Sequence, residues 1–168
     1  MAWPPRSLFA KRFFKIAVPA TLAVLLTATA PAVAQDAGCT GTPSATRLIV
    51  NIDGVRPGGG LIAVTVYADN RSKFLAKRGA LYVGRVAATA SRTRMCIHLP
   101  KTGVWALAVY HDANANRSFD RTGVGLPAEG FGFTNNPSTM FGIPAFSTVR
   151  LDVPRNNMAT TVRLKYPE

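Results

Sequence analysis

From Thr46 onward, apolar residues recur at every second position in short runs separated by glycine, proline and asparagine. Leu48, Val50 and Ile52 share one parity in 46–53, and Ile62, Val64 and Val66 share one in 60–68. A period of two sets such residues on one face of a strand. The Arg56-Pro57-Gly58-Gly59-Gly60 run between them reads as a turn. Segments 81–90 and 92–99 are predicted as the next strand pair, with Met95, Ile97 and Leu99 on one face and Arg94, Cys96 and His98 on the other. Segment 104–110 is apolar at both parities, which predicts a central strand covered on both sides. Segments 147–153 and 159–166 complete the set. Between these, 70–79 reads as a short helix or a wide loop anchored by Phe74 and Leu75, and 141–146 as a helical turn or packing residues. The pattern predicts an all-β fold, a single antiparallel β-sandwich of about seven strands.

The first 34 residues carry a different pattern. Arg6, Lys11, Arg12 and Lys15 precede an apolar stretch over 16–30, and Ala32-Val33-Ala34 follows. A basic region, a short apolar run and small residues make up a secretory signal peptide, with cleavage predicted after Ala34. An uncleaved anchor is the alternative, although the apolar stretch falls short of the ~20 residues a span requires. The expected domains are therefore a signal peptide over 1–34 and one sandwich over 35–168, in the periplasm or secreted. Loss of the four basic residues lowers the formal charge from +12 to +8, since all eight acids lie downstream. Such a balance serves simple solubility, and it also allows an anionic envelope component or an acidic glycan as partner. The basic residues are scattered and form no stripe interleaved with aromatics, so nucleic acid is not expected. Two cysteines, Cys39 and Cys96, are expected to pair in an oxidising compartment.

Candidate chemistry concentrates in 110–136, YHDANANRSFDRTGVGLPAEGFGFTNN. Asp112, Asn114, Asn116, Ser118 and Asp120 place oxygen-bearing side chains at alternate positions, which is the chemistry a hard cation such as calcium requires. Arg117 stands where a helix-loop-helix calcium site has its turning glycine, and Gly123 where that site has its bidentate glutamate. The same residues also make Asx turns that cap their own backbone amides with no ion. Both readings stand on the sequence alone. His111, Glu129, Phe131, Phe133, Asn135 and Asn136 are further candidates on the surface of this loop. His111 adjoins Asp112, yet neighbours on a strand face opposite ways, which predicts a hydrogen-bonded structural histidine. No serine lies in a nucleophile-elbow pattern, and no catalytic set is expected. The enzymatic alternative is a polysaccharide hydrolase drawing two carboxylates from Asp112, Asp120 and Glu129. An assembly partner joined through an open strand edge is a third reading.

These motifs resemble a bacterial exported family, the domain of unknown function 2141. Its pattern has a strand ending in His-Asp, an Asn-x-Asn-Gly…Asp loop, and then Gly-x-Pro-x-Glu-Gly-x-Gly-Phe-Ser-Asn-Asn. The chain offers His111-Asp112, Asn114, Asn116 and Asp120, then Gly125-Leu126-Pro127-Ala128-Glu129-Gly130-Phe131-Gly132-Phe133-Thr134-Asn135-Asn136. Phe141-Gly142-Ile143-Pro144-Ala145-Phe146 is similar to the motif that follows. Arg117 replaces the family glycine and Thr134 the family serine. The resemblance spans 48–164 and implies an exported transthyretin-like or immunoglobulin-like sandwich with no assigned catalytic activity. The expected function is a non-enzymatic binding or structural module of the envelope.

Overall fold

The computed structural model describes residues 38–139 and 143–167. The segment read as a signal peptide, its cleavage point, and part of the 141–146 motif lie outside the described residues. In chain order the elements are β1 (Thr46–Val55), β2 (Leu61–Ala68), β3 (Tyr82–Ala87), β4 (Ser91–Leu99), β5 (Gly103–Asp112), β6 (Gly130–Phe133), α1 (Phe146–Val149), β7 (Arg150–Val153) and β8 (Met158–Arg163). Among the described residues, no helix is long and apolar enough to cross a membrane.

Two sheets pack face to face. One has the order β4-β1-β8, and the other runs β3-β2-β5-β6 with β7 also paired to β5. The alternating residues of β1 (Leu48, Val50, Ile52) meet Ile62, Val64 and Val66 of β2 and Leu107 and Val109 of β5, all fully enclosed. Each such side chain contributes about 1.5–3 kcal/mol on burial, which fixes strand register far more firmly than any surface contact. Trp105 belongs to this core and donates its indole N–H to the Lys101 carbonyl at 3.2 Å. β5 is apolar on its other face too, because Ala106 lies under a second cluster with Tyr67, Phe133 and Val149.

The structure corrects several local expectations. Among the described residues there are eight strands, and the one not read from the sequence is β6. Segments 81–90 and 92–99 do not pair: β3 joins β2, and β4 joins β1. Residues between them carry the chain from one sheet to the other, with Ala88 N–H bonded to Gly60 O at 3.0 Å and Thr89 N–H to Thr93 Oγ1 at 2.8 Å. The sandwich is antiparallel except for β1 with β8, which run parallel. Segment 70–79 is a wide loop of successive turns; Phe74 anchors it, whereas Leu75 faces solvent. The predicted strand 147–153 begins as the single turn α1, where Thr148 N–H bonds Ala145 O at 3.0 Å.

Candidate functional site

β5 delivers Asp112 to the sheet end opposite Leu61, and there the chain leaves the sheet. Asp112 is 0% exposed, and its two carboxylate oxygens accept the amides of Asn116 at 3.0 Å and Arg117 at 2.8 Å. This clamp turns the chain through Ala115 (φ 56°) and Arg117 (φ 65°), both left-handed. An L-residue such as arginine costs about 1–2 kcal/mol in that conformation, which the paired amides offset. Asn114 Oδ1 accepts Asn116 N–H at 3.1 Å, and Asn116 Oδ1 accepts Ser118 N–H at 2.7 Å. Both carboxamides then donate to Asp120, Asn114 at 2.8 Å and Asn116 at 2.9 Å. Ser118 enters this network through its amide.

Glu129, 7% exposed, closes the excursion. Its carboxylate accepts Ala113 N–H at 3.2 Å and Asp120 N–H at 3.1 Å, so one side chain clips the outgoing strand to the returning one. Burial pushes its pKa above the usual carboxylate range; the two amides work against that rise, while Asp120 and Asp112 add to it. The loop therefore brings Asp112, Asn114, Asn116, Asp120 and Glu129 into one hydrogen-bonded cluster, with their oxygens directed largely at backbone amides. Among the described residues, no three His, Cys, Asp or Glu side chains converge in a geometry able to hold a metal ion.

His111 points to the other side of β5 from this cluster, into the sandwich end. The Gly59 carbonyl can only accept, so Nε2 carries the proton and donates to it at 2.7 Å. Nδ1 then accepts from the Tyr166 hydroxyl at 2.8 Å, and that oxygen accepts Arg56 N–H at 3.0 Å. This chain of bonds ties the β1–β2 turn, the end of β5 and the C-terminal segment together. His98 is half-buried, and its Nδ1 lies 3.2 Å from Ser44 N.

A family model described as an uncharacterized protein conserved in bacteria (DUF2141) matches residues 50–161. The chain belongs to the DUF2141 family. The match runs from within β1 into β8 and contains the whole excursion after β5. No curated protein and no solved structure matches the chain.

Within the DUF2141 segment, two further arrangements seat the loop. The first is aromatic. Phe119 packs edge-on against Tyr110 at 5.4 Å and Phe131 at 6.1 Å, and contact continues through Phe133 (6.0 Å) and Phe74 (5.9 Å) to Tyr67 (5.3 Å). These rings cover the outer face of the β3-β2-β5-β6 sheet and pin the excursion to it. Phe133 is thus buried and Phe131 half-buried.

The second arrangement was missed from sequence and centres on Thr134, which is completely enclosed. Its amide donates to Leu107 O at 3.1 Å, its hydroxyl oxygen accepts Leu107 N–H at 3.2 Å, and its hydroxyl donates to Val149 O. One side chain thereby stands in for the strand partner that β5 lacks between β6 and β7. Asn135 and Asn136 follow, both left-handed. Asn135 Nδ2 donates to Arg150 O at 2.7 Å. The Asn136 carboxamide accepts Arg163 N–H at 2.7 Å and donates to Thr161 O at 2.9 Å, pairing with the outer edge of β8. The signal available in the sequence was the Thr-Asn-Asn run directly after an aromatic segment, since such side chains bond backbone groups at strand ends.

Proposed function

We propose that this DUF2141 chain is a non-enzymatic contact module of the bacterial envelope, exported by residues 1–34, that presents the 112–129 excursion as a preformed surface. The observation that carries this reading is the commitment of both enclosed carboxylates. Each oxygen of Asp112 and of Glu129 is bonded to a backbone amide of the loop itself. A glycosidase needs two carboxyl groups facing one open cleft, one free to give a proton and one free to attack or to activate water. Here the acids hold the shape of the loop, which favours contact over turnover. The Cys39–Cys96 disulfide supports an oxidising compartment. The net positive charge supports an anionic envelope partner.

The test is to replace 113–128 by a short glycine linker, confirm the sandwich by its melting transition, and compare envelope co-fractionation with the parent protein. The shortened protein is expected in the soluble fraction. Equal fractionation of the two proteins rules the contact reading out. So does hydrolysis of a cell-wall polymer that disappears in Asp120→Asn, a result that would install the hydrolase instead.

A further inference from the structure

We propose that the hairpin tip at 122–126 is an apolar finger that seats the molecule on an anionic lipid bilayer. This rests on the envelope-contact reading and gives that contact a chemical class. Val124 is 83% exposed and Leu126 62%, both on one tight turn. The turn is braced on every side. Thr122 N–H bonds Leu126 O at 2.8 Å, Gly125 N–H bonds Thr122 O at 2.8 Å, and Arg121 Nη1 bonds Gly125 O at 2.9 Å. Below it, Arg121 pairs with Pro127 across the hairpin, and Ala128 N–H bonds Asp120 O at 2.9 Å. Two aliphatic side chains are thus held out in water by a rigid support, an arrangement whose free energy falls when they enter an apolar medium.

Charge around the tip points to the same surface. The acids of the excursion turn inward onto amides and carboxamides, while Arg117 and Arg121 are exposed. Arg85 adjoins them through the Arg117 carbonyl at 3.2 Å, and exposed Lys165 flanks β6. Arg121, bonded to the tip at the Gly125 carbonyl, and exposed Arg117 on the same excursion match anionic headgroups above acyl chains. A glycan offers hydroxyls to which Val124 and Leu126 have nothing to give. A second copy of the chain is a poor occupant as well, since two side chains fall far short of the ~1,200 Å² a specific interface buries.

The experiment uses protein expressed with its own N-terminal segment, purified as the cell leaves it, with its N terminus read by mass spectrometry. The parent, Val124→Asp/Leu126→Asp and Arg117→Gln are sedimented with vesicles of equal parts phosphatidylglycerol and phosphatidylcholine, and with phosphatidylcholine alone. Heparin serves as a soluble polyanion. The parent is expected to bind the anionic vesicles, the double variant about tenfold or more weakly, and Arg117→Gln with a shallower salt dependence. Equal vesicle binding by parent and double variant overturns the inference, as does a parent that binds heparin but no vesicle. If the double variant still co-fractionates with envelopes while the 113–128 deletion does not, the lipid finger fails and the contact reading survives. If the parent itself does not co-fractionate, the contact reading fails first.

Discussion

Thr134 shows how much of this fold rests on single polar side chains. Its hydroxyl serves Leu107 N–H and Val149 C=O at once, in a position with no access to water. Valine has nearly the same shape but no hydroxyl, so Thr134→Val leaves one donor and one acceptor unpaired in the interior. Each unpaired group costs about 1–3 kcal/mol, which predicts a loss of about 2–6 kcal/mol. Thr134→Ser keeps the hydroxyl, as the family pattern does, and should lie within about 1 kcal/mol of the parent. Urea denaturation of the two variants checks this, and equal midpoints would show that the hydroxyl carries no weight. The Thr-Asn-Asn run after an aromatic segment signals side chains that bond backbone groups, but it does not say which groups. Only the gap between β6 and β7 on β5 gives it work. His111 was legible in the same way: its place at a strand end already predicted a hydrogen-bonded structural role, although neither Gly59 nor Tyr166 could be named.

Among the elements, the 112–129 excursion behaves as a unit whose oxygens are already occupied. For calcium to bind, the Asn114 and Asn116 carboxamides would have to turn their oxygens toward Asp120. That rotation sets their NH₂ groups against the amides of Asn116 and Ser118, which they now accept. Arg117 and Arg121 add positive charge nearby. Melting curves in millimolar calcium and in chelator are therefore expected to coincide. A calcium-dependent rise that disappears in Asp112→Ala would instead establish an ion site. The strands themselves were largely legible, because Leu48, Val50, Ile52 and their counterparts alternate cleanly and β5 is apolar at both parities. Alternation is blind to direction and partner, however, so the parallel pairing of β8 and the separation of β3 from β4 were not. β6 was hidden by its glycines. A Cβ at Gly132 would meet Arg163 O at 2.6 Å, and one at Gly130 would strike the Tyr166 ring, so the residues that read as loop are those that let β8 and the C-terminal segment close in.

At the scale of the molecule, a sandwich has two open sides, and this chain closes each by a different device. On the β6–β8 side, Asn136 pairs with the edge of β8, and Phe131 exchanges backbone bonds with Lys165 at 2.9 and 2.8 Å. On the β3–β4 side, the segment before β1 lies along β4: Thr40 N–H bonds Cys96 O at 2.9 Å, and His98 N–H bonds Thr40 O at 2.8 Å. Tyr82 of β3 crosses to donate its hydroxyl to His98 O at 2.5 Å, and burial pushes its pKa up to about 12. The Cys39–Cys96 bond holds the covering segment in place across a separation of 57 residues. A cross-link of that length removes enough freedom from the unfolded chain to stabilise the fold by about 4 kcal/mol. Cys39→Ala/Cys96→Ala is thus expected to lower the unfolding free energy measured in urea by that amount and to speed exchange of the Cys96–His98 amides, while the Phe131–Lys165 amides keep their relative protection. A loss under about 1 kcal/mol would mean that the two Thr40 bonds alone suffice. The loop-closure account of the cross-link would then fail for this chain.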